Sequence, residues 1–349
     1  MIFKNKIKCI VLFLILIFIF TNCKEDQISS GSDKNKIIRF EKLLFGLDTS
    51  LLKDQFLELR SLYPEFTDVY FKNVLGINSY QNNEDLFYSE LKMFISDTNN
   101  IRILKLVEDE FGNIKNIEKE FGKIVGNMQK EFPHIPKPKI YTYISMFAYQ
   151  GFIFDDNGTD GLAIGLDMFL GDKFPYSVLG NNENAFSNYM TRTYNKDHLY
   201  KKVVQLWLED RIFNKNEKRA VDQIIENGKK FYLMKKIIPE IQDTVLFEYT
   251  KKQLEWMENN EQEMWTFFIK NNFFYTTDDY KIKRLTTPGP NSQSLGMPLL
   301  SPGQTGNYIG YRIINSYMTR NNESGLNELI NNKDAQYILE TSKFKPEIK

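Results

Sequence analysis

Cysteine and histidine are almost missing from this chain, with two of each in 349 residues. Two cysteines cannot build a disulfide framework or a four-cysteine structural zinc site. Neither His134 nor His198 has a second histidine at i+3 or i+4, so H-E-x-x-H is absent and both read as ordinary histidines. Net charge is equally scarce. The 45 Lys and Arg balance the 45 Asp and Glu, which argues against a function built on a broad basic surface, such as wrapping nucleic acid. Glycine and proline, 19 and 11, fall below the roughly 12% average usage and lean the chain towards helix. No G-x-S-x-G, Walker A or G-x-G-x-x-G occurs. Asp155, Asn157, Thr159 and Gly161 sketch a calcium loop, but counting from Asp155 puts Asp160 and Leu166 where an EF-hand needs Gly and Glu. Adjacent acids such as Glu209 and Asp210 leave a helix in different directions and read as a solvated face. What is plentiful is apolar and aromatic side chain, 42% and 14%, enough for a proper core.

The first 23 residues differ from the rest. Lys4, Lys6 and Lys8 precede an unbroken apolar run from Cys9 to Phe20, the pattern of a secretory signal. That run gives about 18 Å of helix, well short of a hydrocarbon core of about 30 Å, so a permanent span is the weaker reading. No A-x-A cleavage site follows. Cys23 follows instead, and Thr21-Asn22-Cys23 resembles a bacterial lipobox, with Asn22 where a stricter box has Gly, Ala or Ser. Lipoproteins of the Bacteroidetes type tolerate that looseness. Lys24-Glu25-Asp26 is similar to their short export signal to the outer membrane's outer face. The reading is a signal peptide over 1–22, a lipidated Cys23, and a tether over 23–36 holding one globular domain, 37–349, off a membrane.

Helical patterns fill the start of that domain. Asp48-Thr49-Ser50 offers N-cap chemistry before Leu51, and Asn83 does the same before Leu86 and Phe87. Apolar residues from Val107 to Phe132 at spacings of three and four trace one stripe, predicting a single helix ended by Pro133. The period then changes. Lys139–Met146, Gly151–Phe154 and Leu162–Leu166 read as strands, and Asn157-Gly158 marks a hairpin, predicting a small central antiparallel sheet of about three strands. Helices resume from 184, with Asn195 as a cap and Thr250–Gln253 as a capping box. Residues 276–303 carry so many Pro and Gly that they predict no element, and a stretch of that kind inside a domain is usually functional. Gly306 and Gly310, one turn apart, predict close helix packing. The fold class is mainly α (α+β).

Several short segments then carry a resemblance. They are Arg39-Phe40-Glu41, Gly165-Leu166-Asp167-Met168-Phe169-Leu170-Gly171, Gln253-Leu254-Glu255-Trp256, Thr305–Ile313 and Ser342-Lys343-Phe344-Lys345-Pro346. In this order and spacing they are similar to the gliding-motility lipoprotein family GldB of Bacteroidetes. The resemblance implies an envelope-anchored, non-enzymatic component with no cofactor and no metal, required for gliding and linked to type IX secretion. Its partners would be other gliding or secretion envelope proteins and, through acylated Cys23, the membrane.

A more distant likeness is to zinc peptidases of the zincin type, whose ligand helix would match Leu199–Asp210 and whose later glutamate would match Asn227 before Gly228. Val203-Val204-Gln205-Leu206-Trp207 offers no ligand there, so this likeness implies a degenerate zincin-like fold. A surface hydrolase with an unusual metal site and a surface nutrient-binding lipoprotein remain as alternatives. Candidate interaction residues are Gly165, Asp167, Gly171, Pro288, Pro290, Gly306 and Gly310.

Overall fold

The computed structural model describes residues 36–180, 186–212, 218–292, 297, 300–322 and 325–346. The expected signal peptide over 1–22, the expected lipidation site Cys23 and the expected tether up to residue 35 lie outside the described residues. The body is mainly helical around a small sheet, as the patterning predicts.

The sheet itself differs from expectation. It has four strands, β1 (Ile38–Arg39), β2 (Lys139–Tyr143), β3 (Gly151–Asp156) and β4 (Thr159–Gly165), in the order β1-β2-β4-β3. β2 pairs in parallel with both β1 and β4, and only β3–β4 is antiparallel. The antiparallel, three-stranded expectation is therefore corrected to a mixed sheet. The physical reason lies in β4. Leu162, Ala163 and Ile164 form a continuous apolar run buried on both faces, which belongs in the centre of a sheet. The half-exposed start of β3 goes to the edge. The hairpin joining them is as read, with Asn157 and Gly158 at φ 55° and 79°, the paired positive values of a two-residue type I′ turn.

Side-chain alternation splits the interior in two. Ile140, Ile153, Leu162 and Ile164 face the larger core, and Tyr141, Tyr143, Phe152, Phe154 and Ala163 face the smaller, aromatic one. The smaller core is closed by α1 (Phe40–Phe45), α2 (Leu52–Leu62), α3 (Pro64–Val69) and α4 (Glu84–Ser96). Phe66 stacks on Tyr141, with ring centroids 4.8 Å apart. Asn83 caps α4 by accepting from Leu86 N at 3.0 Å. Asp48 does not cap α2; it accepts from Ser50 in the preceding turn, and Leu51 occupies the cap position. The Arg39–Glu41 pair sits at the start of α1, where Glu41 is buried and accepts from the Thr142 hydroxyl of β2 at 2.8 Å. That contact explains why Arg39-Phe40-Glu41 stands out: Phe40 fills one core while its neighbours tie β1 to β2.

The predicted single helix over Val107–Phe132 is two, α5 (Thr98–Phe111) and α6 (Ile114–Glu131), parted at Gly112-Asn113. The stripe survives the break, because Val107, Phe111, Ile117, Phe121, Ile124, Met128 and Phe132 are all buried. Periodicity records the shared face; it does not see a glycine interruption that leaves the phase intact.

Beyond the sheet run α7 (Lys196–Arg211), α8 (Ala220–Ile237), α9 (Lys251–Asn259), α10 (Glu261–Lys270), α11 (Asp279–Thr286), α12 (Thr305–Arg320) and α13 (Ala335–Ser342). Asn195 caps α7 and the Thr250–Gln253 capping box opens α9. α11 corrects the reading of 276–303 as element-free. Asp278 caps it, and Ile282 and Leu285 are its only buried residues, too few to show as a period. α8 and α12 cross closely, since a Cβ on Gly228 would meet the Gly310 carbonyl and one on Gly310 the Ile224 carbonyl. The described residues from Ile37 onwards hold together as one compact unit.

Candidate functional site

β2 and β4 are parallel, so their carboxyl ends open on the same side of the sheet, where open sheets gather functional loops. The chain leaving β2 passes through Ser145–Gln150, and the chain leaving β4 passes through Gly165–Gly171. Asp167 joins them. Its fully buried carboxylate accepts from Ser145 N at 2.9 Å, from Phe147 N at 2.6 Å and from the Ser145 hydroxyl at 3.0 Å. Met146 and Phe147 stand at φ 57° and 61°, a left-handed conformation that non-glycine residues rarely adopt. The carboxylate therefore holds a turn that the side chains themselves disfavour. Burial raises the Asp167 carboxyl to about 6, with the backbone donors opposing. Gly165 N donates to Gln150 O at 3.1 Å, and a Cβ there would run into the Tyr149 carbonyl, so the position requires glycine. Gly171, at φ 76°, donates from its N–H to Tyr194 O at 2.8 Å, beside the Asn195 cap of α7.

A second buried node adjoins this one. Glu248 lies in Leu246–Tyr249 with a left-handed backbone of φ 53°. Lys201 and Lys202 of α7 reach one of its oxygens at 2.6 and 2.7 Å, and Lys201 also donates to Gln205 at 2.6 Å. The Arg192 guanidinium donates to the Glu248 carbonyl at 2.6 Å. Burial alone would raise the Glu248 carboxyl, but the two lysines hold it well below the ordinary carboxylate range. Burial pushes His198 down to about 4, outweighing the opposing pull of Glu248, so its ring is neutral at physiological pH.

The Pro- and Gly-rich stretch closes over the same region. Gly303 N donates to Gly289 O and Ser292 N to Ser301 O, at 3.1 and 2.9 Å. The Tyr249 hydroxyl reaches Gly303 O at 2.8 Å, and Gln304 Nε2 reaches Phe247 O at 2.6 Å. Pro288 and Pro290 stay exposed on its outer side, and Leu300 is 78% exposed.

The structure ties Gly165 and Asp167 to the loop after β2 and Gly171 to Tyr194, while the Pro288–Pro290 turn is tied through Gly289 and Gly303 to Tyr249, the neighbour of Glu248. Gly306 and Gly310 are placed elsewhere. They are buried in the α8–α12 crossing, as the close-packing expectation requires, and present no surface. Lys201, Lys202, Glu248 and Ser145 escaped the sequence reading. Only Glu248 left a trace there, as a lone acid inside the apolar run Leu246-Phe247-Glu248-Tyr249.

Two depressions lie in the described surface. One, about 210 Å³, runs between Gln150–Gly151 and the Lys202, Gln205 and Glu209 side of α7. The other, about 620 Å³, lies among α6, α8 and α12 and is lined by Tyr232, Tyr311, Met318, Lys130, Lys235 and Lys236. At the zincin-like positions, Val203, Val204 and Trp207 are core residues, and Asn227 donates to Asn307 at 2.7 Å. Among the described residues no cluster of three or more His, Cys, Asp or Glu could hold a metal ion. No described helix is long and apolar enough to cross a membrane.

A mainly helical body with buried polar nodes under its strand-end loops is the class of protein that fold and site define. The model of the family described as gliding motility protein GldB matches residues 21–346, nearly the whole chain, and the chain belongs to that family. Membership makes it a lipoprotein of the cell envelope tied to gliding motility. No curated protein and no solved structure matches the chain.

Proposed function

We propose that this protein is a non-enzymatic component of the gliding apparatus, held by an acylated Cys23 at the outer membrane and acting through protein contacts alongside type IX secretion. The observation that carries the reading is the family match over residues 21–346, which spans the body and begins just before Cys23. The strand-end surface supports it. Asp167 and Glu248 hold loops there, while Tyr149 of the loop after β2 is 47% exposed and Val178, beyond the loop after β4, is 71% exposed. Loops that present apolar side chains suit contact with another protein.

Deleting the gene is expected to abolish colony spreading and the intact gene to restore it; a deletion strain that spreads normally ends the proposal. Cys23→Ser is expected to release the protein from membranes, and unchanged retention overturns the lipid anchor.

The open 620 Å³ cleft favours a second reading, a ligand-binding surface lipoprotein, since two tyrosines and three lysines line it. A thermal-shift screen of small anionic and aromatic compounds tests this: stabilisation abolished by Tyr311→Ala supports it, and no stabilisation by any compound removes it.

A further inference from the structure

The sheet ends in one long edge and one short one. β1, at one side, is two residues long and runs straight into α1. β3, at the other side, pairs only with β4. The register fixes which of its backbone groups are used. Gly165 N donates to Gln150 O, and the two-residue turn closes on the pair Asp156–Thr159. Gln150, Phe152, Phe154 and Asp156 therefore bond towards β4, while Gly151, Ile153 and Asp155 direct both N–H and C=O away from it. Among the described residues no backbone hydrogen bond engages those outward groups. Gly151, Phe152 and Ile153 are half-exposed, and this stretch has no proline or lysine of the kind that usually blunts an edge.

We propose that β3 pairs with β3 of a second copy of this chain, antiparallel about a two-fold axis at Ile153. In that register Ile153 faces its own counterpart, and each of Gly151, Ile153 and Asp155 exchanges an N–H and a C=O with the other copy. Phe152 falls opposite Phe154 of the other copy, an aromatic cross-strand pair on the aromatic face. Asp155 falls opposite Gly151, where the 210 Å³ groove places Lys202, Gln205 and Glu209, the last of which already accepts from Gln205 at 3.0 Å. Lys202 spends one contact on Glu248 and has further donors for an arriving carboxylate. The strand is thus complementary to itself in backbone, apolar contact and charge. Two four-stranded sheets become one continuous sheet.

Sedimentation velocity of the full chain in detergent, from about 1 to 100 μM, is expected to show a monomer–dimer equilibrium. Hydrogen exchange in the dimer should slow at the Gly151, Ile153 and Asp155 amides, while Phe152 and Phe154 are protected in both states. Ile153→Pro removes the central outward N–H at a position where an edge tolerates proline, and should leave a folded monomer. Asp155→Lys sets like charges together at Lys202 and should weaken association about tenfold without touching the core. A monomer at every concentration, a dimer whose Gly151, Ile153 and Asp155 amides exchange freely, or undiminished association in Asp155→Lys overturns the proposal. None of these outcomes bears on the gliding assignment.

Discussion

The Lys201 ammonium lies 2.6 Å from the Glu248 carboxylate, with the two side chains 4% and 5% exposed. Removing Lys201 leaves the buried Glu248 with Lys202 as its remaining ammonium partner and takes the donor away from Gln205. Lys201→Ala is therefore expected to cost about 1–3 kcal/mol in urea unfolding. Lys202→Ala, at a side chain 22% exposed, should cost distinctly less. Equal losses would mean that the two lysines are interchangeable and the burial of Lys201 is irrelevant.

The same node sets the response to acid. Glu248 is held below its unfolded value, so its contribution is present above about pH 4.5 and falls away as pH drops. His198 is depressed to about 4 from 6.5, so the unfolded chain takes up a proton first and stability falls as pH drops from 6.5 to 4. His198 contributes a falling denaturation midpoint over that window, and His198→Gln should remove this contribution, most visibly between pH 6.5 and 5. An unchanged slope in that variant would exclude His198 as the source.

Asp167 has the opposite sign. Its folded value, about 6, lies above the ordinary aspartate value of 3.8, so the folded state binds the proton more tightly. Asp167→Asn turns an amide N–H towards donors at Ser145 or Phe147 and should cost about 2–3 kcal/mol at pH 7. The gap between wild type and variant should widen as pH falls through 6 towards 4. A gap that narrows would show that the donors, not burial, govern this carboxyl.

Two glycines give a paired test of packing. Gly310→Ala drives a Cβ into the Ile224 carbonyl and should cost about 1–3 kcal/mol or more. Gly126→Ala, in α6 with nothing within 4 Å, should stabilise by about 0.5–1 kcal/mol through helix propensity. Thermal unfolding of both variants checks the contrast, and matching shifts would refute it.

Local chemistry was legible in the sequence and long-range register was not. Asn83, Asn195 and Thr250 cap the helices that their positions announced, and Asn157-Gly158 turns the hairpin. The parallel docking of β4 on β2 depends on which strand is buried on both faces, a property of the assembled layers. α11 was hidden because two buried residues among Pro and Gly make no pattern. At the site, Gly165, Asp167 and Gly171 were found through a family segment, and the structure supplies the reason for each. Glu248 was not found, because its partners lie 47 and 46 residues earlier and Lys201-Lys202 looks like any solvated pair.

β1 has a mechanical consequence. Tension arriving along the chain from before Ile37 enters the body at a strand only two residues long. Because β1 runs parallel to β2, a pull along its axis shears the pairing and loads all its bonds together. Behind it the Arg39–Glu41 pair and the Glu41–Thr142 bond act as a latch on the central strand. Force arriving there is thereby delivered to the middle of the sheet before it reaches any helix.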